Sequence, residues 1–217
     1  MFLLFRKEFL LIGRSLGGVV SLLTLGVSLI FIFYSAIEVQ ETLSVKTVRG
    51  LKWAIVFLLN FVIVSQSLWE ERESNGWETS LETYGTTTLY LVKTLVVWFF
   101  TTLVNAALIL VLCVFFQNML VERFFGEWLL LSLATLSLVA LGISLGKLAS
   151  ESKLKEIILP LLQLPFSIPL LLFGMEAESR FWIEPGFYFP SVGLLIFFAG
   201  FYVSIGALFL EGILGQD

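Results

Sequence analysis

Histidine is absent from the 217 residues, and cysteine occurs once, as Cys113. The first absence removes the commonest metal ligand and the commonest acid–base side chain from any site this chain builds alone. The second excludes an internal disulfide and a multi-cysteine metal cage. Charge is scarce too: Asp, Glu, Lys and Arg make up 14% of the chain, against about 25% in an average soluble protein. The balance of 17 acids to 13 bases, net −4, offers no basic surface to a nucleic acid. No Gly-x-x-x-x-Gly-Lys-Ser/Thr stretch occurs, so the chain lacks a phosphate-cradling loop of that type. Apolar surface is what it has in excess. Hydrophobic residues make up 58%, aromatics 15%, and mean hydropathy is +0.97. The composition defines an integral membrane protein and argues against an enzyme.

A bilayer core about 30 Å thick is crossed by about 20 apolar residues in a helix. Uncharged runs near that size fall at 19–37, 53–68, 94–116, 128–145, 157–175 and 187–210. The fifth holds three of the five prolines, Pro160, Pro165 and Pro169. Connectors are short, carry nearly all the charge and include no linker rich in Pro, Gly or Ser. The expectation is one all-α membrane domain over 1–217, with six transmembrane helices. The first run follows a basic Arg6-Lys7 flank, as a signal peptide would. It is long for a signal h-region, however, and no small-residue cleavage site follows, so it reads as a mature span.

Lysine and arginine set the orientation. With a cytoplasmic N-terminus, that side carries Arg6, Lys7, Arg14, Arg72, Lys93, Lys147, Lys153 and Lys155, and the other carries Lys46, Arg49, Lys52, Arg123 and Arg180. Six spans then place both termini in the cytoplasm. Ahead of the first span, Phe2, Phe5, Phe9, Ile12 and Leu16 share one helical stripe with Lys7 and Arg14 nearly opposite. This pattern predicts an interfacial helix over 1–17.

The loop at 70–88 is acidic. Glu70, Glu71, Glu73, Glu78 and Glu82 fall within 13 residues, interrupted by Arg72 and Gly76. Gly76 after Asn75 suits a helix end or tight turn. The pattern predicts a short charged helix, a break, and a second short helix ending near Tyr84. Such a knob suits docking on a soluble partner with basic residues.

An interfacial helix, six spans and an acidic Glu-Arg-Glu…Gly…Glu loop after span two resemble the type-2 ABC exporter permeases. Within that group, Ile158-Leu159-Pro160-Leu161-Leu162-Gln163-Leu164-Pro165-Phe166-Ser167-Ile168-Pro169-Leu170-Leu171-Leu172-Phe173-Gly174 is similar to the fifth-span segment of the CcmB family, haem exporter protein B. The Phe-Arg-Lys-Glu start, Lys93 and the length agree with that family. The chain departs from it in the loop: Glu78 stands two residues after Gly76 where the family acid stands three after, and the following Ser-Pro pair is missing.

The resemblance implies a permease subunit in a bacterial inner membrane, made of a half that dimerises or joins a related membrane subunit. It implies a separate cytoplasmic ABC ATPase docking on Glu70, Glu71, Arg72, Glu73, Gly76, Glu78 and Glu82. It also implies a haem-binding membrane subunit in the same complex, with haem as cargo. This chain alone is expected to bind no cofactor or metal and no nucleic acid. Lacking histidine, it leaves imidazole ligation of iron to another subunit. Two rival functions keep the same architecture: a permease for a lipid, polysaccharide or drug, and a scaffold that moves nothing.

Other residues carry weaker signals. Pro160, Pro165 and Pro169 each delete an intrahelical hydrogen bond, which predicts either a broken helix lining a path or a static kink. Asn60, Ser65, Gln66, Ser67 and Asn105 are expected to hydrogen-bond between helices. Gly142 with Gly146, and Gly13 with Gly17, permit close helix approach. Cys113 reads as a small buried hydrophobe, and Met119 and Met175 as poor candidates for axial ligands. The stretch 38–52 reads as a solvated hairpin. The outer loop 176–190 mixes charge and aromatics in the manner of the membrane–water belt, with a re-entrant gate as the alternative.

Overall fold

The computed structural model describes residues 2–14, 16–36, 44–73, 76–116, 121–150, 155–183 and 189–214. Among these it forms eight α-helices and no strand. Helix α1 is Phe2–Arg14, α2 Leu16–Ser35, α3 Val45–Glu73, α4 Gly76–Tyr84, α5 Thr86–Phe115, α6 Phe124–Ser150, α7 Lys155–Ile183 and α8 Phe189–Leu214, with a 3-10 turn at Val121–Arg123 before α6. Five of them are long and apolar enough to cross a membrane: α3, α5, α6, α7 and α8. Helix α2 adds a shorter apolar stretch, Val20–Ser35. Without water to satisfy backbone groups, helices are the expected solution for such a composition.

Helix α6 is the axis of the bundle. It packs against α3, α5, α7 and α8, and 78% of its apolar window is buried against 22% for α8. Small residues permit this. A Cβ added at Gly142 would stand 3.0 Å from Val64 of α3, and one at Gly146 2.2 Å from Leu68. The close approach expected at these two glycines is therefore present. Gly13 and Gly17 have side-chain positions outside the described residues.

Helix α5 is joined to α6 by tryptophans used in opposite directions. Trp98 Nε1 donates to the Ser132 carbonyl at 2.7 Å, and Trp128 Nε1 to the Thr102 carbonyl at 2.9 Å. About two turns away, the Tyr90 hydroxyl donates to the Ala140 carbonyl at 3.2 Å. An indole or phenol places a large apolar body in the core and spends its one polar atom on a neighbouring helix.

Several helix boundaries extend beyond the uncharged runs. Helix α3 begins at Val45 rather than near 53 and continues through the charged Glu70–Glu73, so no separate charged helix precedes the break. Helix α6 begins at Phe124, and α7 continues to Ile183 through Glu176, Glu178 and Arg180. The stretch expected as an outer loop at 176–190 is therefore helix over its first half, and 184–188 lie outside the described residues. Helix α4 ends at Tyr84 as expected. Gly85, with φ 78°, makes the turn into α5, in a backbone region that disfavours residues with a Cβ.

The prolines of α7 leave it one continuous helix from Lys155 to Ile183. Pro165 is exposed beside Leu161, Leu164 and Phe166, and Pro169 is partly buried. Protein donors serve the backbone of that turn: Ser167 Oγ donates to the Leu164 carbonyl at 2.8 Å, and Tyr202 Oη to the Phe166 carbonyl at 2.7 Å. The side chain of Pro160 lies outside the described residues.

Gly174 of α7 faces the ring of Trp53, where an added Cβ would come within 2.2 Å of Cη2. Trp53 is 2% exposed and cannot swing aside. Gly174→Ala should destabilise the detergent-solubilised protein by about 1–3 kcal/mol, read as a lower midpoint in thermal unfolding. Gly193→Ala, which meets nothing within 4 Å, should leave the midpoint within about 0.5 kcal/mol of the parent.

Candidate functional site

Two clusters of charge are buried at opposite ends of the bundle. At the end where α3 and α6 begin and α7 finishes, Arg49, Lys52, Glu127 and Glu178 meet. Lys52 Nζ donates to Glu178 Oε1 at 2.8 Å and to Glu127 Oε2. Arg49 Nε donates to Glu178 Oε1 at 3.2 Å. Two indoles complete the set: Trp53 Nε1 reaches Glu178 Oε2 at 2.6 Å, and Trp182 Nε1 reaches Glu127 Oε1 at 2.8 Å. The side chains of Lys52, Glu127 and Glu178 are each 2% exposed or less. Two cations and two anions make the cluster neutral, and all four carboxylate oxygens accept. A buried charge is tolerable only under those conditions.

The helices place these groups for physical reasons. Glu127 stands in the first turn of α6, where the positive end of the helix dipole favours a carboxylate. Glu178 lies near the C-terminal end of α7, where the dipole opposes it, and there three donors converge. Arg49 and Lys52 are three residues apart on α3 and so share a face. Arg123 anchors the end of α7, donating to the carbonyls of Phe181 and Trp182 at 3.1 and 2.6 Å while stacking 4.9 Å from the Trp182 ring. Cys113 of α5 is partly buried at the same end and packs with both apolar cores, as a small hydrophobe.

The reading of 38–52 as a solvated hairpin is thereby corrected. Residues 37–43 lie outside the described ones, but Val45 onward is helix, and Arg49 and Lys52 are buried because Glu127 and Glu178 neutralise them.

The second cluster sits at the α4 end. Lys93 of α5 is 1% exposed. Its ammonium donates to the Ser67 carbonyl of α3 at 3.2 Å, stands 3.9 Å from Glu8 of α1, and lies 5.7 Å from the Trp77 ring centroid of α4. Lys147 of α6 lies 5.1 Å from the same ring. Lys7 pairs with Glu8 at 3.1 Å and donates to Ser80 of α4 at 2.6 Å. The short helix α4 is thus joined to α1, α5 and α6 through side chains.

Helix α1 packs onto the bundle through a face adjacent to the Phe5–Phe9 stripe. Leu4, Glu8 and Ile12 are buried, whereas Phe5 and Phe9 are exposed on the adjacent face, Phe9 also meeting Phe99 and Phe100 at 5.9 and 5.1 Å. Phe2 and Leu16 have side chains outside the described residues. The buried carboxylate of Glu8, partnered by Lys93, is what turns the helix.

Of the seven residues expected to receive an ATPase, Glu70, Glu71, Arg72 and Glu73 form the last turn of α3, Gly76 opens α4, and Glu78 and Glu82 lie along it. Glu82 is exposed, and the side chains of the other five acids and bases lie outside the described residues. Asn60 is 0% exposed, and neither of its amide atoms has a hydrogen-bond partner among the described residues, so the interhelical bond expected there is not formed. Ser67 contributes its carbonyl rather than its hydroxyl. Met119 lies outside the described residues, and Met175 packs into the apolar core beside Trp53.

Bundled apolar helices, with charge buried only where it is neutralised, define an all-α multi-pass membrane protein. The family model for CcmB protein matches residues 1–209, and the chain belongs to the CcmB family. At family level this is a permease component of the haem-exporting ABC machinery of cytochrome c maturation. A comparison with curated proteins finds no match.

Lys52→Met would leave Glu127 and Glu178 buried with reduced compensation. A loss of about 3–5 kcal/mol is expected in thermal or denaturant unfolding. Lys46→Met, on the exposed side of the same helix, should change stability by less than about 0.5 kcal/mol.

Proposed function

We propose that this chain is the permease subunit of an ATP-driven complex that exports or hands on haem for cytochrome c maturation in a bacterial inner membrane. The family match over residues 1–209 carries this reading. Helix α2, at 20 residues, has about the 30 Å needed to serve as the sixth span. The α4 end faces the cytoplasm, as the bias of lysine and arginine favours. There the 29 residues of α3 run about 43 Å, longer than the hydrocarbon core, so its acidic last turn stands clear of the bilayer.

Energy enters from a separate ATPase. Glu70, Glu71 and Glu73 at the end of α3, with Glu78 and Glu82 on α4, are its acidic landing site, and Arg72 and Gly76 set the register between the two helices. The chain itself hydrolyses nothing. Haem passes as cargo rather than as a resident cofactor, and with no histidine here its iron is held by imidazoles of a separate haem-binding membrane subunit. A second membrane subunit, a related chain or another copy, completes the permease. Pro160, Pro165 and Pro169 give α7 the local weakness that a moving wall requires.

The docking assignment is tested by reversing Glu71 and Glu73 together to lysine. Co-purification of the ATPase with the membrane complex should fall at least tenfold, with the variant still inserted at parental levels. Undiminished co-purification would remove the loop from the interface.

A further inference from the structure

Helix α4 has only nine residues, too few to be stable alone in water, so its position depends on what holds it. The holding side-chain contacts come from three other helices, and those from α5 and α6 converge on one ring. Trp77 is 6% exposed. Lys93 of α5 and Lys147 of α6 place their ammonium groups 5.7 and 5.1 Å from its centroid, within the range of cation–π attraction. Its indole N–H finds no acceptor among the described residues, so the ring is gripped by those cations and by apolar packing. Lys93 is itself tied to Glu8 of α1 and to the Ser67 carbonyl of α3. A separate contact, Lys7 to Ser80, joins α1 to α4 directly.

We infer that Trp77 is the positioning residue through which displacement of α4 is passed to the cytoplasmic ends of α1, α5 and α6. This deepens the proposed function and rests on its assignment of the 70–84 region to ATPase docking. A rigid aromatic ring held by two cations from different helices has few ways to yield. When α4 is pushed, the ring carries the Lys93 and Lys147 attachments with it, and Lys93 draws on Glu8. The attraction needs the π face, so an aliphatic side chain of similar bulk fills the space without making the link. The acidic residues then bind the ATPase, while Trp77 decides whether binding reaches the membrane helices.

The test uses the intact complex with its ATPase in lipid nanodiscs and measures amide hydrogen exchange with and without ATP plus vanadate. In the parent, nucleotide should change protection in α4 and, together with it, in the α1 segment around Glu8 and the ends of α5 and α6 around Lys93 and Lys147. Trp77→Leu should retain the ATPase and the change in α4 but reduce the change in α1, α5 and α6 at least fivefold. Trp77→Phe should restore most of it. A parent whose nucleotide response stays within α4, or a Trp77→Leu complex that responds as the parent does, would overturn the inference. Each variant is compared with its own nucleotide-free state, so a merely static loosening does not imitate the result. Should Trp77→Leu not assemble, Lys147→Met, at a partly exposed position, takes its place. It should lower the α6 response about threefold while leaving α4 responsive, and an unchanged α6 response would count against the inference equally. Failure of the underlying docking assignment is separately visible, as a parent complex that does not retain the ATPase.

Discussion

A cation removed from water must meet an anion or be expelled, and this rule fixes the arrangement of the bundle. Apolar packing alone would let membrane helices rotate and slide at small cost, because lipid is as good an apolar neighbour as leucine. Lys52 ends that freedom. Its ammonium can be buried only where Glu127 and Glu178 converge, which sets the register of α3 against α6 and α7 together. Lys93 does the same at the other end, where Glu8 and the Ser67 carbonyl define the seat of α1 and the end of α3. The aromatic residues are subordinate to these pairs: Trp53 and Trp182 spend their indole N–H groups on the same carboxylates.

With both ends fixed, the rest follows from shape. Gly142 and Gly146 bring α3 onto α6, and Gly174 makes room for the Trp53 ring that reaches Glu178. Helix α8 lies at the periphery with most of its apolar window unburied, as a helix facing lipid or another membrane subunit would. The two clusters also differ in kind. The α3–α6–α7 cluster is closed, every carboxylate oxygen being satisfied from within the chain. The α4 cluster adjoins an acidic stretch and includes a short helix held by side chains, which is the arrangement expected where a soluble partner acts on a membrane domain.

The helices were legible in the hydropathy, and α4 in the glutamates and the glycine that frame it. The charge clusters were hidden by the rule that revealed the spans. Reading for uncharged runs ends each span at its first charge, which placed Arg49 and Lys52 in a hairpin, Glu127 in a connector and Glu178 in an outer loop. Those residues in fact lie within the helices, near the start of α3 and α6 and the end of α7. One signal was available: Arg49 and Lys52 stand three residues apart, as on one face of a helix, immediately before an apolar run. Glu8 was obscured differently. The Phe2–Phe5–Phe9 stripe set the apparent apolar face of α1, and only the distant Lys93 reveals that the carboxylate turns inward. No local pattern can report a pair separated by 85 positions in the chain (93 minus 8). Trp77 was not singled out in the sequence, because the two lysines placed against it come from other helices.

The central claim is that this membrane chain works on energy supplied from outside itself, entering through the α3–α4 corner. The most direct measurement is haem loading of the periplasmic acceptor in cells whose only copy of the partner ATPase carries a hydrolysis-defective nucleotide site but still assembles with this chain. The account predicts that loading falls to the level seen without the ATPase. Loading that proceeds at the parental rate would contradict it, and would leave the chain a scaffold whose partner's ATP hydrolysis serves another step.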